Sequence, residues 1–353
     1  MKSLFRSGVR NAVRISVCFL LCLPLLFEIY TLIVQREGDA PLPPQFGNFE
    51  RVRDLLANSP PKEQFAFAVA GDTRSFGTFE EIAGELRSIS LDFAVLLGDC
   101  ANGGTEEDHR FFRAESATEC ALLFPVFYVV GNHDVSPDRF PITRFEEEYG
   151  PTNFSFEYQN CLFIVLRILD SPFSNADSLA FLEQLAEQPL DNYRYRFVCM
   201  HIPPSISGEI VAREYPESDS LVRLFDRMRI DYVFAGDFHG YAQIQRNDTT
   251  YIVTGGGGAP LSKKKARQFH HVVVVTVGQN SVSEYIIPFS ERRDPEDVLE
   301  NLAIAKVYPW MSRHPVETII LNGIQIAVLV VIIIFVRRSE KSSGNTRSSQ
   351  FPA

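Results

Sequence analysis

Five short apolar runs in this chain each stop at a Gly, Asp, Asn or His motif, and that recurrence narrows the possible folds more than any other feature. The runs are Phe65 to Ala70, Phe93 to Leu97, Val126 to Val130, Phe197 to Met200 and Tyr232 to Ala235. They are followed in turn by Gly71-Asp72, Gly98-Asp99, Gly131-Asn132-His133-Asp134, His201 and Gly236-Asp237-Phe238-His239. Short runs rich in β-formers and bounded by Gly or polar residues read as buried strands. Helix signals lie between them. Thr78-Phe79-Glu80-Glu81 forms a capping box that opens a helix to about Ser88, and Asp219-Ser220 starts another to about Met228. Strands alternating with helices give the α/β class, with no internal repeat. In open α/β sheets ligands bind beyond the carboxyl ends of the strands, so the five motifs are expected to converge there.

The side chains that would meet are oxygen and imidazole donors: Asp72, Asp99, Asn132, His201, Asp237 and His239. Such a set needs no thiolate and suits Mn, Fe, Zn or Mg without distinguishing among them. Each residue alone has a plainer reading. A Gly-Asp pair after a strand is often a turn whose Asp caps the next helix, and a lone His is more often a satisfied core residue. The constellation is what points to a metal site. Cys100 reads as a small buried filler, and His109, His270, His271 and His314 have no motif context. Gly255 to Gly258 lacks the Lys-Ser or Lys-Thr of a phosphate-cradling Walker loop and reads as a tight turn near the site rim. Lys263, Lys264 and Lys265 after it read as a solvated loop.

In order and spacing the motifs resemble the calcineurin-like metallophosphoesterase superfamily, whose pattern runs D-x-H, GD, GNH[DE], a lone His and GHxH. The resemblance covers roughly residues 62 to 288 and takes in Asn153 to Tyr158 leading into Phe163 to Leu166, and His201-Ile202-Pro203-Pro204. It implies a four-layer α/β/β/α sandwich and two divalent metal ions. Carried over residue by residue, Asp99 bridges the ions, Asp72 and His239 complete one half-site, and Asn132, His201 and Asp237 complete the other. His133 would protonate the leaving oxygen with Asp134 orienting its ring. The implied reaction is hydrolysis of a phosphomonoester or phosphodiester by metal-activated hydroxide.

Two positions depart from the pattern: Arg74 stands for the His of D-x-H, and Asp237 for the first His of GHxH. A guanidinium cannot ligate, which opens a one-metal alternative. Arg74 could instead grip the substrate phosphate bidentately and so count as catalytic with His133 and Asp134. A second reading, from a different class, is a catalytically weakened domain that binds a phosphorylated ligand or partner.

The chain has 353 residues and a formal net charge of −10, a balance that argues against nucleic-acid binding. Its ends are different in kind. Ile15 to Val34 is apolar except for Glu28 and follows Lys2, Arg6, Arg10 and Arg14; Ile319 to Val336 is apolar except for Asn322 and Gln325 and precedes Arg337, Arg338 and Lys341. Each approaches the roughly 20 residues that span a bilayer. The positive-inside rule places both termini in the cytoplasm and the domain outside it, in a periplasmic, extracellular or lumenal space. Ile15 to Phe27 has the length of a cleaved signal peptide's apolar core and basic residues before it, but Glu28 to Glu37 offers no clean small-x-small cleavage site, which favours a retained signal anchor. The expected organisation is a basic N-terminus over 1–14, a span over 15–34, a linker over 35–61, the domain over 62–289, a juxtamembrane linker over 290–316, a second span over 317–336 and a tail over 337–353. Asp39 to Gly47 reads as a stiff Pro-containing linker. Leu299 to Trp310 reads as an amphipathic stretch at the membrane surface. Six irregularly spaced cysteines, two of them in the first apolar segment, imply no disulfide framework. The inserts near Asn102 to Ala117 and Ser205 to Ser218 shape the pocket and carry no recognisable specificity code.

Overall fold

The run Phe65-Ala66-Phe67-Ala68-Val69-Ala70 shows how this sequence makes its layers. Successive strand side chains point to opposite faces. Phe65, Phe67 and Val69 accordingly join an inner apolar cluster. Ala68 and Ala70 join an outer one with Phe79, Ile82, Ala83 and Leu86 of the helix Thr78–Ser88. The small alanines let that helix lie close on the strand.

The computed structural model describes residues 2–206, 215–261 and 267–345, so Lys263 to Lys265 and most of the Ser205 to Ser218 insert lie outside the described residues. The chain divides into two compact units: residues 38–299, and the terminal segments up to Glu37 and from Glu300. In the first unit, two sheets are built among the described residues. One contains β1 (Phe65–Ala70), β2 (Phe93–Leu96), β3 (Val126–Tyr128), β10 (His270–Val277) and β11 (Val282–Phe289), in the order β11-β10-β1-β2-β3. The other contains β4 (Phe154–Tyr158), β5 (Cys161–Leu166), β6 (Tyr195–Met200), β7 (Tyr232–Ala235), β8 (Tyr241–Arg246) and β9 (Thr249–Thr254), in the order β4-β5-β6-β7-β9-β8. Strands β1, β2 and β3 run parallel, as do β5, β6, β7 and β9. Antiparallel strands flank them: β10 and β11 beside β1, and β4 and β8 at the edges of the second sheet.

Phenylalanines from both sheets fill the space between them. Phe67 stacks on Phe93 at 5.0 Å, and Phe93 meets Phe163 of the other sheet edge-on at 5.1 Å. Helices Ala176–Ala186 and Ser218–Met228 cover the far face of the second sheet through Leu182, Leu221 and Phe225. The result is a mixed α/β two-sheet fold.

Three segments differ from the sequence expectation. Residues 45–57, read as linker, are built into the domain: the Val126 N–H donates to Gln45 O at 2.9 Å, and the Asn48 amide donates to Tyr128 O at 2.7 Å while accepting from the Tyr128 N–H at 2.9 Å. The helix at Thr78 is capped by Gly77, whose N–H donates to Glu80 at 2.5 Å; the Thr78 hydroxyl donates instead to Arg292 O at 2.8 Å. The Leu299 to Trp310 stretch has a protein-covered face, since Ala303, Ile304 and Ala305 are buried and the Ala303–Val307 turn packs on the N-terminal helix Lys2–Val34.

That N-terminal helix and the C-terminal helix Pro315–Asn345 contain 19- and 21-residue stretches, Ser16–Val34 and Pro315–Phe335, long and apolar enough to cross a membrane. Their polar exceptions meet. Asn322 donates to the Glu28 carboxylate at 2.6 Å, and the Gln325 amide donates to Leu21 O.

His109, buried on the helix Glu106–Glu115, lies flat on Phe140 at 3.8 Å, and its ring nitrogens meet the Tyr149 hydroxyl at 2.7 Å and Asp134 O at 2.6 Å. Burial pushes this ring's pKa down to about 3. An unfolded histidine titrates near 6.5, so between about 6.5 and about 3 the unfolded chain binds a proton that the folded ring refuses. Stability present above that window is therefore lost as pH falls through it. His109→Gln is expected to flatten the acid limb of denaturation midpoint against pH; an unchanged limb would acquit the ring.

Candidate metal centre

The carboxyl ends of β1, β2, β3, β6 and β7 open on one shared edge, and backbone bonds cross it. The Gly71 N–H after β1 donates to Thr254 O at the end of β9 at 3.0 Å, and the Asp72 N–H donates to Gly98 O at 2.9 Å. His201, the residue after β6, reaches the first sheet: its Nδ1 lies 2.7 Å from Leu97 O. A carbonyl only accepts, so Nδ1 carries the hydrogen and the neutral ring keeps its lone pair on Nε2. That lone pair faces Asn132 Oδ1 at 3.0 Å and Asp99 Oδ1 at 3.3 Å. Three acceptors turned on one another require a cation between them, either a proton on the ring or a metal ion. Burial opposes a charged His201, yet Asp99, Asp72 and Asp237 push its pKa up to about 9.

His239 is set the same way. Its Nδ1 lies 2.8 Å from Pro260 O and its Nε2 faces Asp72 Oδ1 at 3.4 Å. Donor atoms of Asp72, Asp99 and His201 lie within 4.8 Å of one another, all three residues buried. Among the described residues Asp72 Oδ1 has no hydrogen-bond partner beyond the ring it faces, and burial pushes this carboxyl's pKa up. Burial works on Asp99 in the same direction, but the charges of His201, His133 and Arg74 outweigh it and hold Asp99 below the usual carboxylate value. The backbone N–H of Asp237 donates to Asp72 Oδ2 at 3.0 Å, which joins the GDFH loop to the first motif. A buried, orphaned carboxylate oxygen and two tautomer-locked imidazoles fit a divalent ion.

Sharp turns aim these side chains. Asp72, Arg74, Asp99 and Asp237 take φ of 58°, 52°, 53° and 62°, the left-handed region that costs a residue with a Cβ. Close approach does the rest. A Cβ on Gly131 would sit 2.2 Å from the Asp99 nitrogen, so the second and third motifs touch only because glycine stands there. The Gly255 to Gly258 run packs on the first motif, its Gly257 N–H donating to Gly71 O at 2.8 Å and the following Ala259 N–H to Asp72 O at 2.7 Å.

Asp134 sits among main-chain donors. Its Oδ2 accepts from the N–H groups of Gly131 at 2.7 Å and Asp99 at 2.8 Å, and its Oδ1 from those of Cys100 and Ala101, both at 2.9 Å. With both oxygens engaged by main-chain donors, the carboxylate ties the Gly98 and Gly131 loops together. Burial and the Asp99 charge push its pKa up to about 7, against which the Ala101 and Gly131 donors work. The His133 side chain is 47% exposed, with Nε2 3.9 Å from Asp99 Oδ2. The Arg74 Nη2 stands 3.6 Å from the same oxygen. Sequence reading missed the carbonyls of Leu97 and Pro260, which set both histidine tautomers; a backbone carbonyl leaves no residue-type signal.

The two-sheet α/β fold, with carboxylate, amide and imidazole groups at one strand edge, is the metallophosphoesterase fold. The chain belongs to the calcineurin-like phosphoesterase family, whose family model matches residues 46–241, and that family uses divalent metals. The match begins at Phe46, inside the segment that the structure adds to the domain. No curated protein sequence matches the chain. Similar solved structures include GAP50, the anchor in the inner membrane complex of Plasmodium, at 14% identity over 69% of this chain and 95% of that one, TM-score 0.45. The purple acid phosphatase PPD1 from yellow lupin seeds matches at 16% over 68% and 56%, TM-score 0.45. A dimetal phosphatase from Danio rerio matches at 11% over 64% and 99%, TM-score 0.45.

Asp134→Ala would leave four buried amide donors without their acceptor, at about 1–3 kcal/mol for each left unsatisfied. Chemical denaturation is expected to show a loss of about 3 kcal/mol or more, with Asp134→Asn losing less because one oxygen still accepts. Near-native stability in the alanine variant would show that the loops do not depend on this carboxylate.

Proposed function

We propose that this chain is a membrane-anchored, metal-dependent phosphoesterase that hydrolyses phosphomonoesters or phosphodiesters. The observation that carries the reading is the convergence of His201 Nε2, Asn132 Oδ1 and Asp99 Oδ1, three lone pairs with the histidine tautomer fixed by Leu97 O. Asp72, Asp99, Asn132, His201, Asp237 and His239 would hold divalent metal. Metal bound there supplies Lewis acidity, lowering the pKa of water and offsetting charge on phosphoryl oxygens.

The chain's own residues do the rest. Arg74, whose guanidinium has N–H donors in a fixed fork, would orient the phosphoryl group bidentately. His133, exposed at the mouth beside Asp99, would pass a proton from its ring to the leaving oxygen. Asp134 would keep the Asp99 and His133 loops at fixed separation through its four amide bonds. Arg74 in place of a ligand also favours a second reading, a domain that binds a phosphorylated ligand without turning it over.

Turnover of mono- and diester substrates with metal analysis of the same sample separates the two readings. Asp99→Asn is expected to abolish hydrolysis and lower bound metal. His133→Ala should leave metal content nearly intact while cutting turnover by about 100-fold or more for poor leaving groups, and less for nitrophenolate. Metal-replete protein with no turnover on any substrate would favour the binding domain.

The terminal helices would anchor the domain. Basic residues precede Ser16–Val34 and follow Pro315–Phe335, which supports an orientation with both termini in the cytoplasm and the domain on the other side. Protease added outside intact cells, or on the lumenal face of vesicles, should digest the domain and spare a terminal tag. Digestion of the domain only from the cytoplasmic face would reverse this orientation.

A further inference from the structure

We infer that the centre is built for a single metal ion and that the Arg74 guanidinium is a permanent cation standing in for a second. This rests on the metal-dependent reading above and specifies the stoichiometry of the same site. The two oxygens of Asp99 face different surroundings. Oδ1 lies with His201 Nε2 at 3.3 Å, which in turn lies 3.0 Å from Asn132 Oδ1. Asp72 offers a donor atom within 4.8 Å of those of Asp99 and His201, so it can turn to the same ion. Asp99 Oδ2 lies 3.6 Å from Arg74 Nη2. On that side His239 Nε2 lies 3.4 Å from Asp72 Oδ1, and Asp72 Oδ2 already accepts the Asp237 N–H at 3.0 Å. With Asp99 Oδ2 turned to the guanidinium and Asp72 shared with the first set, the donors left on that side fall short of the three protein ligands that a catalytic ion takes.

Arg74 is not a passive replacement. A guanidinium keeps its charge and offers donors but no lone pair, so it can satisfy acceptors that an ion would otherwise satisfy, yet it repels a dication at the same place. Its backbone is held in the left-handed region at φ 52°, and its side chain is only 17% exposed, so the charge is fixed beside Asp99 rather than swinging in solvent. Arg74 therefore takes over the electrostatic task of one ion without its ligand sphere. A phosphate would be held between one metal and one arginine.

Stoichiometry tests this directly. Full-length protein purified in detergent, saturated with manganese(II) and freed of excess, is expected to hold one manganese per chain with the spin-resonance spectrum of an isolated ion. Arg74→His should raise the content towards two and give an exchange-coupled spectrum, Arg74→Lys should stay at one, and His201→Ala should lose the ion. Should Arg74→His not fold, Arg74→Ala with added imidazole supplies the same ligand and should show the same rise. Two coupled ions in the unaltered protein would overturn the single-ion inference while leaving the phosphoesterase reading intact. One ion in both the unaltered protein and the histidine or imidazole-supplemented variants would overturn the role given to Arg74. No manganese in any of them would overturn both this inference and the metal-dependent reading.

Discussion

The bond from His201 Nδ1 to Leu97 O is the contact on which the centre depends, because its two partners end strands in different sheets. It forms only if the carboxyl ends of β2 and β6 reach the same level. The inter-sheet phenylalanines set the spacing and the parallel pairing sets the level, so a one-residue slip in either sheet would part the donor from the carbonyl. That bond also decides which imidazole nitrogen is left to meet Asp99 and Asn132. Packing in the middle of the molecule is thereby converted into proton placement at its edge.

The centre concentrates features that a fold tolerates only where function requires them. Asp72, Asp99 and Asp134 are all buried, and Asp72, Arg74, Asp99 and Asp237 adopt left-handed backbone. Charges this close are tolerable only with compensation. Asp134 obtains it from four amide dipoles, Asp99 from the rings and guanidinium around it, and Asp72 from His239. The three carboxylates are thus not equivalent, although all follow strands in similar motifs. Only Asp72 and Asp99 turn oxygen atoms towards one another's surroundings, and Asp134 spends its capacity on the main chain.

The strands were legible because burial on both faces leaves a distinctive run: β1 and β7 match the apolar stretches Phe65 to Ala70 and Tyr232 to Ala235 end to end. β3 stops at Tyr128, short of Val130, with the Val129 N–H making the next bond to the end of β2, to Leu96 O at 2.8 Å. The meeting of Asp72, Asp99 and His201 was legible as well, since side-chain type carries that chemistry. What escaped was work done by backbone. The four amides around Asp134, the carbonyls of Leu97 and Pro260, and the pairing of Gln45 and Gly47 with Val126 depend on main-chain groups that every residue has. Pro41, Pro43 and Pro44 also made the segment before β1 look like spacer, whereas Phe46 and Asn48 behind them are buried in the domain.

The meeting of Asn322 with Glu28 has a consequence in polymer terms. Those residues lie 294 positions apart, so the contact makes the chain between them a ring. As long as the helix pair holds, a domain that unfolds explores only the conformations of a closed loop. Loop-closure entropy for a chain of this length is of the order of 5 kcal/mol, removed from the denatured ensemble rather than added to the native one. A centre that stores strain and buried charge gains from such a tether, because the fold can be less stable in its own contacts and still recover its shape in place.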